Sequence, residues 1–215
     1  MRALVGIVSV VGIVAYGKAL ILMLRYAPLE LPLFRSWAIG VAVGFLTWII
    51  LRKALSFFTV FEHELTHLIF SLMMFQRPHS FYASNHRGHV ACDRGNFIDG
   101  LAPYFFPTFA YLLLALYPLL KPKSHPYFYP ILGFMTGYHL ISNIGEFSPR
   151  EADIRRYGVV FSLVFSVFAG IVTFGFIVAF VANGFAGGLE FLRAGLGNVR
   201  EIVSFTITNV LSHRR

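Results

Sequence analysis

The sequence predicts an all-α polytopic membrane protein, with about six transmembrane helices and a short β-hairpin inserted after the third. Three observations predict it. Hydrophobic residues make up 57% of the 215 residues and charged residues 13%. A soluble domain carries about 25% charged residues, so this chain cannot clothe a water-facing surface. The apolar residues gather into runs long enough to cross about 30 Å of hydrocarbon, and most charged residues lie between those runs. A soluble enzyme and a disordered chain are excluded on these grounds. The single cysteine, Cys92, excludes a disulfide scaffold.

Residues 3–24 form the first apolar run, with Lys18 near its end. The run is too long for a signal peptide and reads as a retained span. The Lys18 ammonium can snorkel to the interface. Arg25 to Arg35 contains Pro28 and Pro32 and reads as a loop. Residues 36–51 form the second run, stopped by Arg52 and Lys53. Residues 54–76 form the third, which holds Glu62, His63, Glu64 and His67.

The stretch 77–98 is the most polar. Ser80–Ala83 and His89–Cys92 read as short strands, joined by a turn at Asn85-His86-Arg87-Gly88. Residues 101–120 form a fourth span, stopped by Lys121-Pro122-Lys123, and residues 127–147 a fifth, with Pro130 near its start. A charged linker, 148–157, precedes a sixth span at 158–182. Gly184, Gly187 and Gly188 break the chain there. The tail, 189–215, is either an interfacial helix or a seventh span. The whole chain, 1–215, reads as one membrane-embedded domain with its core at 54–182.

Lys and Arg total 18 against 10 Asp and Glu, a net charge of +8. The basic residues flank apolar runs and form no stripe with interleaved aromatics. They read as loops beside membrane spans, with no nucleic-acid partner. They divide almost evenly between the two sides of a six-span arrangement, so the positive-inside rule sets no orientation.

Acids and histidines inside an apolar run are costly, and each calls for a function or a partner. His63 and His67 are four residues apart, so on a helix both project from one face and can direct a ring nitrogen at one ion. Zn²⁺ accepts such nitrogens at about 2.0–2.1 Å. Glu64 follows the first histidine and can act as general base on water. Glu62 points to a different face, and a pairing with Lys53 or Arg52 is expected. A catalytic zinc takes a third protein ligand from elsewhere in the chain. Asp153 and Asp99 are the candidates, with His139 and Glu146 weaker ones. Asp153 is preferred because Pro149 suits a helix start, which places Asp153 near an N-terminus whose dipole favours a carboxylate.

An HExxH motif in an apolar run, a polar insert after it and a distant aspartate at the start of a later helix together resemble the site-2 protease family of intramembrane zinc metalloproteases. The resemblance covers roughly residues 54–160. It implies zinc as cofactor, His63, His67 and Asp153 as ligands, and Glu64 as catalytic base. It implies hydrolysis of peptide bonds in membrane-spanning substrates, with the hairpin offering a strand edge to an unwound segment. The alternative is a non-enzymatic multi-pass protein, a transporter or assembly factor, in which the polar cluster fixes helix packing. A short multi-pass chain of this kind is expected in a bacterial inner membrane.

Overall fold

The computed structural model describes residues 1–26, 31–85, 87–92 and 95–212, with only the backbone of Tyr26, Val210 and Leu211. Part of the expected loop at 25–35, His86 of the expected turn and the last three residues lie outside the described set. The helices are α1 (Arg2–Tyr26), α2 (Pro32–Leu51), α3 (Ser56–Met73), α4 (Phe97–Leu101), α5 (Thr108–Leu116), α6 (His125–Glu146), α7 (Ala152–Tyr157) and α8 (Val159–Ser212). The strands are β1 (Pro78–Ala83) and β2 (Gly88–Cys92).

All six apolar runs are helical. Three meet the length and apolarity of a membrane span: Arg2–Arg25, Pro32–Leu51 and Val159–Asn209. A fourth does so only as a pair, Phe97–Tyr104 and Thr108–Leu119, bent by 87°. The expectation of six spans is therefore met in part. Helices α3 and α6 carry the polar side chains that lower their hydropathy, Glu62, His63, Glu64 and His67 on one and His139, Asn143 and Glu146 on the other. The glycine-rich break turns the chain back on itself, so that a Cβ on Gly175 would meet the Phe191 ring and one on Gly188 the Phe176 ring, and the α8 range holds two helices packed side by side. Asn183 and Gly184 leave helical geometry, Gly184 at φ 60°, a left-handed conformation that glycine adopts at no steric cost. The described part of the tail continues as helix to Ser212.

The chain gathers into two compact units, Pro32–Ser162 and Met1–Leu31 with Leu163–Arg215. In the second of these, Ala15, Tyr16, Ala19, Ala179 and Phe191 form a buried core. Close approach there depends on glycine, because a Cβ on Gly195 would enter the Tyr16 ring.

In the unit spanning Pro32–Ser162, α2 and α6 run parallel with their backbones in contact. A Cβ on Gly40 or Gly44 would strike the carbonyl of Pro130 or Phe134, and one on Gly133 or Gly137 the carbonyl of Trp37 or Val41. Each helix thus offers two glycines four residues apart. In lipid, burial of apolar surface gives little drive for helices to associate, so packing at this distance replaces it. Helix α3 carries β1 and β2 on one side and the bent α4–α5 segment on another. The strands pair antiparallel, with Phe81 opposite Val90, Tyr82 opposite His89 and Ala83 opposite Gly88. The expected hairpin is therefore present, closed by Ser84 Oγ, which donates to the Arg87 carbonyl at 2.8 Å.

The bend between α4 and α5 follows from Pro103 and Pro107. Neither can donate an N–H to a continuing helix. The freed backbone groups must find partners inside the protein, and α3 supplies them.

Candidate metal centre

Helix periodicity brings His63 and His67 to one face of α3, with ring centroids 5.0 Å apart. Asp153 meets them from α7. Its Oδ2 lies 3.8 Å from His63 Nε2 and 3.4 Å from His67 Nε2. A charge-assisted N–H···O bond is about 2.7–2.9 Å long, so these separations are too long for direct bonds. They are close to the ligand–ligand edge of a tetrahedral zinc site, about 3.3 Å for bonds of about 2.0–2.1 Å. His63, His67 and Asp153 form the one such group among the described residues, with ligand atoms within 4.8 Å of one another. Two imidazole nitrogens and a carboxylate oxygen suit a divalent cation with a free coordination position.

The other ring nitrogens are already engaged. His63 Nδ1 lies 3.3 Å from Glu146 Oε2. His67 Nδ1 lies 3.0 Å from the backbone carbonyl oxygen of Asp99. Each partner accepts a hydrogen bond from an Nδ1–H and so leaves Nε2 as the lone-pair nitrogen facing Asp153. The Tyr104 ring packs edge-on against His63, with centroids 5.5 Å apart and planes at 86°.

Asp153 sits in the first turn of α7. That helix is short and separate from α8. Gly158, at φ 94°, ends it, so the long helix does not begin near Pro149 as the sequence suggested. The dipole argument holds for α7 itself. Burial works against ionisation of Asp153, but His63 and His67 outweigh it and hold its carboxyl below the usual carboxylate range.

Asp99 takes a different place from the one considered for it. Its carboxylate accepts a hydrogen bond from Ser71 Oγ at 3.0 Å, and its Oδ1 lies 4.0 Å from His67 Nδ1, the nitrogen turned away from Asp153. Asn96 caps α4 by accepting from the N–H groups of Ile98 and Asp99. This fixes the turn that aims the Asp99 carbonyl at His67.

Glu64 is buried and lines a cavity of about 280 Å³ together with His67, Asp99, Asp153 and Arg156. Strand β2 forms another wall. A Cβ on Gly88 would collide with Glu64 Cγ and Cδ, so glycine lets the strand lie over this side chain without displacing it. Among the described residues no hydrogen bond engages the Glu64 carboxylate, which leaves it open to a proton.

The expected pairing of Glu62 with Lys53 or Arg52 is not observed. Glu62 Oε1 lies 3.2 Å from His139 Nδ1 and accepts the backbone N–H of Phe109 at 3.1 Å. The reason is the bend. The first turn of α5 exposes orphan N–H groups, and Pro107 at its N-cap has no side chain to satisfy them. A carboxylate from α3 does so and also meets the helix dipole. His139 is thereby held by a hydrogen-bonding partner, and it is not part of the His63–His67–Asp153 group. Thr66 and Thr108 hydrogen-bond beside this contact.

Glu146 as the partner of His63 has no sequence signature, since 83 residues separate the two. Gly88 likewise shows its role only where β2 crosses Glu64. No protein-family model, no curated protein and no solved structure matches this chain.

Proposed function

We propose that the chain is an intramembrane zinc metalloprotease, similar to the site-2 protease family, that hydrolyses peptide bonds of membrane-spanning substrates. One observation carries the reading. The Asp153 carboxylate lies 3.8 and 3.4 Å from the Nε2 atoms of His63 and His67, beside Glu64, a buried carboxylate with no competing bond among the described residues. In this reading α3 and α6 also cross the bilayer, with their polar faces turned towards each other, and the bent α4–α5 segment returns to the side it entered, as parallel α2 and α6 require. The membrane is a bacterial inner membrane.

His63, His67 and Asp153 would hold the ion. Zinc supplies Lewis acidity, which acidifies water and polarises a carbonyl. Glu146 and the Asp99 carbonyl fix the two imidazole orientations from behind. Glu64 accepts a proton from the attacking water and returns it to the departing amine. The cavity wall formed by β2 shields Glu64 from bulk solvent and adjoins the space where a substrate segment would lie.

The test is Glu64→Gln in vesicles with a transmembrane peptide. The variant should keep near-stoichiometric zinc and lose cleavage by about 10²–10⁴-fold. A wild-type protein that binds no zinc would favour the packing alternative.

A further inference from the structure

We propose that Arg156 is a catalytic residue that receives the scissile carbonyl oxygen as it gains negative charge. This rests on the metalloprotease reading. In hydrolysis the water oxygen bonds to the carbonyl carbon and the carbonyl π pair moves onto oxygen. Glu64 holds the water's proton and passes it to the nitrogen as the C–N bond breaks. Between those events the oxygen is an anion, and a preorganised donor there lowers the barrier.

Among the described residues that line the cavity beside the triad, Arg156 is the charged side-chain donor without a hydrogen-bond acceptor. Ser71 Oγ donates to Asp99. Cys92 Sγ donates to Ser71 Oγ at 3.1 Å. His89 Nε2 is engaged with Ser80 at 3.2 Å. His67 has Nδ1 on the Asp99 carbonyl and Nε2 facing Asp153. Arg156 also lines this cavity and makes no ion pair among the described residues. It lies three residues after Asp153 on α7, so both side chains leave the same side of that helix.

Its position is held from two sides. The guanidinium carbon stands 5.5 Å from the Tyr157 ring centroid, a cation–π contact. On the other side, Nη1 lies 3.0 Å from where a Cβ on Gly95 would stand. The want of a side chain at Gly95 leaves room for the guanidinium. Arginine keeps its charge in any such setting and presents several N–H groups at once. Among the described lining residues, Arg156 supplies the one fixed positive charge.

The experiment compares wild type with Arg156→Gln and Arg156→Lys, all loaded with zinc. Cleavage of a transmembrane peptide is read beside the binding of two ligands, a phosphinic peptide that mimics the charged tetrahedral centre and its uncleaved amide parent. Arg156→Gln should keep its zinc, lose kcat by about 100-fold and change KM by less than about threefold. It should weaken the phosphinic peptide by a similar factor and barely change amide binding. Arg156→Lys should recover part of both. Equal weakening of the two ligands, or an unchanged kcat, overturns the role of Arg156. A zinc-loaded wild type that leaves every transmembrane peptide intact overturns the protease reading itself, and this inference with it.

Discussion

Glu146 Oε2 stands 3.3 Å from His63 Nδ1, on the ring nitrogen opposite the one that faces Asp153. The contact joins the end of α6 to the middle of α3. A carboxylate in that position fixes the tautomer of the imidazole and raises its basicity towards a cation. Glu146→Gln should therefore weaken zinc binding by about 10–100-fold with the fold intact. Competition with a chromophoric chelator reads this directly, and an unchanged affinity would remove Glu146 from the site.

Gly88 tests the contact between the hairpin and Glu64. Its backbone is not left-handed, so alanine carries no conformational cost there. A Cβ would still meet Glu64 Cγ and Cδ. Overpacking of this kind costs about 1–3 kcal/mol unless something moves. In Gly88→Ala we expect Glu64 to be displaced, with turnover reduced at least about tenfold and zinc content unchanged. Wild-type turnover would mean that the strand, and not Glu64, gives way.

The Glu62–His139 pair tests the bent segment. Both side chains are about 5% exposed, so removing one partner strands the other in a dry site. Such a loss costs about 3–5 kcal/mol. Glu62→Ala should lower the unfolding midpoint in detergent strongly. Paired with His139→Ala it should show non-additivity, because the two side chains are in contact. Additive effects would show that the contact is not energetically coupled.

Falling pH acts in the same direction on Asp153 and on the two imidazoles. The Asp153 carboxyl is held below its ordinary value, near 3.9 in an unfolded chain. Its contribution is thus complete above the ordinary carboxylate range and is lost only as pH falls through the lower folded value. The histidines must be neutral to bind a cation. On acidification zinc should leave with the uptake of about two protons, both on imidazoles, while Asp153 stays ionised. Proton counting during zinc release checks this, and a third proton would place Asp153 among the groups that titrate.

Much of this molecule was legible along the chain. Apolar runs wrote out the six helical stretches, because a helix that satisfies its own backbone is the economical answer to a segment with few polar side chains. His63, Glu64 and His67 were legible because a spacing of four residues is one helical turn. The hairpin was legible from two short strand-forming stretches around Asn85–Gly88. The pairing of Glu62 was not. The sequence offered Arg52 and Lys53 as neighbouring charges, but the groups most in need of a carboxylate were backbone N–H groups 47 residues away.

The sequence by itself determined the membrane class, the motif helix and two ligands of the candidate site, since all of these depend on composition or on spacing within one element. Only the tertiary structure decided that Asp153 faces both imidazoles while Asp99 stands behind one of them. It alone revealed Glu146 at the back of His63 and glycine at 88 over Glu64. Those relations are set by how α3, α6, α7 and the hairpin pack. Two aspartates with similar sequence surroundings differ there because one helix start is aimed at the histidines by its Nε2 side and the other by its Nδ1 side.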